Sequence, residues 1–312
     1  MSTAQFLSTH SYKLEALTDV WTGDANTAQS KDARRLITTG LLGSVRWWFE
    51  VLVRGLGGAP CDPSANQKAC IDKDHCVVCE LFGCTGWARK VRFDVREEGG
   101  AVIQSQIKKG TTFQLRFTPL RGVHAQEWAL LELTLLLICE FGALGGKTVL
   151  KPSDQNSKSQ HADLGLVGWR GVASQTHTRE ELATYVHGWS KKPTVPGAAW
   201  ASLRHMWFVD GEYLTRLDQY TSTFNRVIGR PEPKSQSSSG NSWLAGSQGE
   251  SKKVFSFKAP ARTFGFVQQV SALDVTRETL SAVWSLPATP GDWLVCGDAL
   301  LDRLFAAKEA AR

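Results

Sequence analysis

WARKVRFDVREEGGAVIQSQIKKGTTFQLRFTPL, residues 87–120, is the stretch on which the fold turns. Over residues 87–95 the apolar side chains Val91, Phe93 and Val95 fall on alternate positions, and over residues 111–120 Phe113, Leu115 and Phe117 do the same before Pro119. Period two marks a strand with one buried face. Residues 101–107 offer a further short strand between the two. Upstream, Leu41, Val45, Trp48, Phe49, Leu52 and Leu56 recur at helical spacing over residues 40–56, with Thr38 and Thr39 as N-cap candidates. Arg46, Glu50 and Arg54 make the ridge opposite that apolar stripe. Downstream, residues 125–140 are dense in leucine and tryptophan and suit a buried helix. Outside these lie an alternating strand over residues 5–17 (Phe6, Tyr12, Leu14, Ala16) and a short apolar strand over residues 164–169. The order strand, helix, strand, strand, helix, strand predicts an α+β, ferredoxin-like fold, with two helices on one face of an antiparallel sheet.

The C-terminal half is less periodic. Residues 177–191 read as a helix, residues 254–270 as one or two strands and residues 275–284 as a helix. Residues 230–252 are rich in Ser, Gly and Pro and read as a flexible excursion. Two domains are expected: residues 1–170, and residues 171–312 as a second, degenerate α+β domain.

The chain has 312 residues, 42% of them hydrophobic, which excludes global disorder. The apolar run near residues 128–141 is interrupted by Glu132, Thr134 and Glu140 and is too short to span a bilayer, which takes about 20 residues. With no signal-peptide pattern at the start, a cytoplasmic protein without a membrane partner is expected. The net charge of +6 permits an anionic partner without requiring one. Its distribution is more telling: between Gly86 and Arg121 eight basic residues face three acidic ones.

Before the first of the two strands, CDPSANQKACIDKDHCVVCELFGC (residues 61–84) holds five of the seven cysteines. In a reducing compartment such crowding points to metal rather than to disulfides. Cys76 and Cys79 form a C-x-x-C whose thiolates can reach one ion from one turn; Cys61 and Cys70 complete a four-sulfur set most simply. His75 and Cys84 compete for a place in it. Four sulfurs around zinc leave no open position for water, so such a site is structural. The insertion spans about residues 57–85.

Other segments suit phosphate. Arg34 and Arg35 feed the start of the helix over residues 40–56, and Arg46 and Trp47 lie off its apolar stripe; exposed N–H groups at a helix start favour an anion. Arg89 and Lys90 open the basic strand. FGALGGKT (residues 141–148) follows a helix instead of preceding one, and its spacing is not that of a nucleotide-binding loop. Gly145 and Gly146, with Lys147 and Thr148, suit close approach of backbone to a sugar-phosphate chain. No catalytic constellation stands out. The aspartates at 19, 24 and 32 read as loop residues.

LEALTDVWTG (residues 14–23) followed by LLGSVRWWFEVLVRG (41–55), CELFGCTGWARKVRF (79–93) and GALGGKT (142–148) together resemble the RAMP superfamily of CRISPR-associated RNA-binding proteins, and within it the head-end RAMP subunit of type III-B (Cmr) effector complexes. Cys84 stands where serine is usual in the family's F-G-S turn, and KPSDQNSKSQHADLG (151–165) intervenes after the glycine loop. The resemblance implies a non-catalytic RNA-binding subunit near the 3′ region of the guide RNA, contacting guide RNA, target RNA or both in antiviral defence. It also implies other RAMP subunits as partners and a structural Zn²⁺ in the cysteine insertion. A guide-processing ribonuclease using His10 or Asp24, and an assembly subunit without RNA contact, are the alternatives.

Overall fold

The computed structural model describes residues 8–22, 35–62, 70–145, 163–174, 176–189, 196–215, 223–229, 242–246, 251–287, 289 and 291–311. The chain divides into two compact units: Met1–Gly146 with Gly165–Leu203 and Leu301–Arg312, and Lys147–Leu164 with Arg204–Leu300.

The first unit runs β1 (His10–Ala16), α1 (Thr38–Gly55), α2 (Val77–Phe82), β2 (Val91–Glu97), β3 (Thr112–Pro119), α3 (Ala125–Phe141), β4 (Val167–Trp169) and α4 (Arg179–Gly188). Its sheet has the order β2-β3-β1-β4, antiparallel throughout. This is the ferredoxin-like arrangement that the alternation predicts. The register puts Tyr12 beside Leu115 and Leu115 beside Val95, so one face carries the apolar residues of three strands. All three are buried. α1 and α3 pack together over that face. α3 is apolar on every side, and even its Glu127, Glu132 and Thr134 are buried.

Several details depart from the sequence reading. α1 begins at Thr38 with Ile37 as its N-cap, whose N–H is taken by Thr22 Oγ1 at 2.8 Å. Neither threonine is the N-cap, and no side chain caps the helix; the first turn closes through the Gly40 and Leu41 N–H groups on Ile37 O at 2.9 and 3.1 Å. Glu50 and Arg54 are buried, not on a solvated ridge. Arg54 Nη1 donates to Ala201 O at 3.1 Å, so α1 is covered on both sides. Residues 101–107 form no strand; Val102, Ser105 and Ile107 each bridge to a different partner.

The second unit runs β5 (Met206–Asp210), α5 (Thr223–Val227), α6 (Ser242–Ala245), β6 (Val254–Lys258), β7 (Ala261–Phe266), α7 (Leu273–Trp284) and β8 (Val295–Cys296), and α8 (Asp298–Ala310) follows. Its sheet order, β6-β7-β5-β8, repeats that of the first unit strand for strand. A core of Trp207, Val209, Phe224, Val254 and Leu280 fills the helix side. Most of the serine- and glycine-rich segment 230–252 lies outside the described residues.

Candidate metal centre and nucleic-acid face

The four cysteines Cys61, Cys70, Cys76 and Cys79 converge: all are buried, and their sulfurs lie within 4.8 Å of one another. Cys76 is the N-cap of α2 and Cys79 stands in its first turn, which is how the x-x spacing aims both at one point. Cys61 Sγ lies 3.4 Å from Cys79 Sγ. The N–H of Cys76 donates to Cys70 Sγ at 3.2 Å, and that of Cys61 to Cys76 Sγ at 3.4 Å. A tetrahedral ion with metal–sulfur bonds of about 2.3 Å would set the sulfurs about 3.8 Å apart, so the set fits with small adjustment. Hydrogen bonds from Cys61 and Cys70 drive the Cys76 thiol far down, while Cys79 and Cys70 are driven far up. Crowded thiols share their negative charge unless a soft cation compensates it. His75 and Cys84, the competing ligands in the sequence, stand outside the four.

Arg46 ties this centre to the fold. Its Nη2 donates to Cys79 Sγ at 3.3 Å, Nη1 to Gly83 O at 2.9 Å and Nε to Glu50 Oε1 at 3.1 Å. Burial works against the guanidinium charge, but Cys79 and Glu50 hold its pKa up. Arg46 therefore does not extend to a phosphate, as its position off the apolar stripe had suggested. It donates to one of the four sulfurs from outside the set, the kind of outer contact that orients a ligand wherever such a set holds a metal. Gly83, in the turn after α2, has φ +85°, and a Cβ there would lie 2.9 Å from both Arg89 N and Trp87 O. The R-W-W helix, the C-x-x-C and the F-G turn, read separately in the sequence, meet at this one guanidinium.

Lys90 is likewise corrected from surface to interior. It is 3% exposed, with Nζ 2.5 Å from Glu80 Oε1 and 2.9 and 3.0 Å from the two Glu127 oxygens. His75 completes the network, its Nε2 2.5 Å from Glu80 Oε2 and its Nδ1 2.6 Å from Asp72 O. Burial alone would raise the Glu80 carboxyl, but hydrogen bonds from Lys90 and His75 outweigh it and hold the pKa below the usual value. The basic character of residues 86–121 thus includes a lysine spent on a buried carboxylate of α3, a use that periodicity gives no sign of.

The glycine turn is seated on α1. Trp48 Nε1 donates to Ala143 O at 2.9 Å, and a Cβ on Gly142 would come within 2.6 Å of the Trp48 ring, so glycine is needed for this approach. Gly145 N donates to Ser44 Oγ at 3.1 Å. Trp47 is half-buried, edge-on to Trp48 at 4.8 Å. Gly146, Lys147, Thr148 and Arg34 lie outside the described residues, while Arg35 and Arg89 are exposed. Beside Arg89, the Arg121 guanidinium sits 4.1 Å over the Trp87 ring and donates to Ala88 O at 2.5 Å. This pair went unmarked in the sequence beyond Arg121 as one of the basic residues.

The side of the sheet away from α1 and α3 carries Lys13, Glu15, Arg92, Asp94, Arg96, Gln114 and Arg116 and no aromatic ring. Lys13 pairs with Glu98, Arg92 and Arg96 with Asp94, and Arg170 with Glu15. Such a face does not offer the stacked-base platform of RNA recognition motifs. His10 stacks on Trp128 at 4.0 Å, and burial lowers its pKa. Asp19 accepts from Gln106, Lys108 and the Lys109 N–H. Asp24 and Asp32 lie outside the described residues.

These features define an α+β protein of ferredoxin-like topology with a buried tetracysteine set and a glycine turn, each tied to α1. Residues 13–150 match the model of the RAMP superfamily. No curated protein matches. Among solved structures, the crystal structure of Cmr1 from Pyrococcus furiosus in its apo form aligns over 97% of each chain, at 12% identity and a TM-score of 0.39, a likeness too slight to carry an argument. No described helix is long and apolar enough to cross a membrane.

Proposed function

We propose that this chain is a non-catalytic RNA-binding subunit of a type III (Cmr) CRISPR effector complex, working beside other RAMP subunits in antiviral defence. In that role it contacts the 3′ region of guide RNA, target RNA or both. The observation that carries the reading is the family match, which takes in the second half of β1, α1, the cysteine centre, the F-G turn and the glycine loop. Geometry adds support: the glycine turn lies on the first turns of α1 through the Gly145–Ser44 contact, and Arg35 and Arg89 are exposed. Cations and backbone N–H groups recognise phosphate and shape, while guide–target pairing reads sequence. The four cysteines hold zinc as a structural clasp. His10 packed on Trp128 and Asp19 held by Gln106 and Lys108 give no support to a nuclease centre.

Single-stranded RNA titrated onto the full chain should bind with an affinity that falls steeply as salt rises. Arg89→Glu should weaken binding alike for unrelated sequences, as loss of a phosphate contact does. Absence of RNA binding would leave the assembly-subunit alternative. RNA cleavage by the chain, abolished in His10→Ala, would overturn the non-catalytic reading.

A further inference from the structure

The second unit contains a cavity of about 320 Å³, within the range of small-ligand sites. Its floor is apolar, made by Trp207, Val254 and Val267. The Trp243 indole of α6 lines one wall, with Val275 and Thr276 of α7 among the lining residues, and Arg226 and Gln268, both exposed, stand at its mouth. No described lining residue is acidic.

Three features restrict the ligand. An apolar floor beside an indole favours a flat ring. The ammonium of Lys253, almost wholly buried, lies 4.9 Å from the Trp243 ring and bonds to Trp243 O at 3.4 Å and to Ser251 O. That cation behind the wall, with Arg226 in front, disfavours a positively charged guest and suits a ring carrying an anion. Gln268 at the mouth offers a donor and an acceptor to a heterocycle edge. Thr276 and Thr279 turn their hydroxyls back onto Ala272 O and Val275 O, at 2.8 and 2.9 Å, and so present their methyl groups as part of an apolar wall.

We infer that this cavity receives one unpaired nucleobase of a single-stranded RNA, stacked against Trp243, with its phosphate at Arg226. The inference rests on the RNA-binding reading above and adds to it a base-holding site in the second unit. Stacking on an aromatic side chain tolerates any base, so the site would hold the strand without reading it.

The experiment uses the full chain and single-stranded RNA oligonucleotides carrying 2-aminopurine at successive positions. One position should show strong quenching on binding, and its quenching should vanish in Thr276→Phe, which fills the cavity, and in Trp243→Ala. RNA affinity in Trp243→Ala should fall about 5- to 100-fold. Thr276→Phe guards against simple misfolding, because it removes no core contact and its fold is checked by an unchanged melting profile. A chain that binds RNA with unchanged affinity and quenching in both variants overturns this inference and leaves the RNA-binding reading standing. A chain that binds no RNA overturns both.

Discussion

The two sheets share one strand order and differ in what lies on their second face. In the first unit the face away from the helices carries Lys13, Asp94, Arg96, Gln114 and Arg116, so β1, β2 and β3 alternate between buried and more exposed positions. In the second unit Trp207, Val209 and Val254 fill the helix side, while Phe208, Phe264, Phe257 and Phe266 on the other face are also buried, between 0% and 5% exposed. Phe208 pairs across to Phe264 and Phe264 to Phe255, whose rings stack at 4.8 Å. A strand buried on both faces reads as a continuous apolar run and loses its period. The same topology was therefore visible in one half of the chain and obscured in the other.

The difference is sharpened most by breaking the tetracysteine set, which the first unit alone carries. Free energy on the order of 10 kcal/mol is at stake in structural zinc sites. Wild-type chain should hold one zinc per molecule by elemental analysis, and Cys79→Ser should lose it together with the ordered insertion. Hydrogen exchange should then rise across residues 70–90 while β5 to β7 stay protected. A Cys79→Ser protein with full metal content and unchanged exchange would remove the clasp.

Next in size come two buried features, one from each unit. Lys90→Met leaves Glu127, fully buried, and Glu80 without their shared cation, and should cost about 3–5 kcal/mol in denaturant unfolding. The Lys90→Met, Glu127→Leu pair should recover part of that loss. Phe264→Ala in the second sheet should cost a similar 3–5 kcal/mol, whereas Gln114→Ala, on the corresponding face of the first sheet, should stay within about 0.5 kcal/mol. Equal losses at Phe264 and Gln114 would show that the two faces do not differ as described.

What the sequence disclosed follows the same physics. β1, β2, β3 and α1 were legible because each has one apolar face with a clear period, and α3 because its apolar density is long enough for a buried helix. The cysteine set was legible because ligand spacing is local: Cys76 and Cys79 share a turn, and Cys61 and Cys70 stand nearby in the chain. Arg46 and Lys90 were misplaced because their partners, Cys79 and Gly83 for one and Glu80 and Glu127 for the other, include residues 33 to 37 positions away. No local pattern distinguishes a lysine bound for a buried glutamate from one bound for a phosphate. The pocket beside Trp243 is built from α5, α6 and α7, from Trp207 of β5 and Val254 of β6, and from the residues just after β7, and it belongs to the half whose period was lost.

The smallest predicted effect separates the units by pH. In the first, the Glu80 carboxyl sits below its ordinary pKa because Lys90 and His75 bond to it more strongly than burial penalises it. A carboxyl depressed in the folded state adds stability above its unfolded pKa of about 4.3, and that contribution is lost as pH falls through the lower folded value. In the second unit the central polar contacts are neutral hydroxyls: Ser256 Oγ lies 2.9 Å from Thr263 Oγ1, which donates to Glu212 O at 2.9 Å. These do not titrate. Melting the wild type and Glu80→Gln from pH 6 down to pH 3 isolates the carboxyl, since thiolate protonation and metal release are common to both proteins. The wild-type advantage should shrink steadily below about pH 4.3, and a Ser256→Ala protein should instead run parallel to wild type at every pH. If Glu80→Gln also ran parallel, the network around Lys90 would contribute no pH-dependent stability, and its charges would count only as packing.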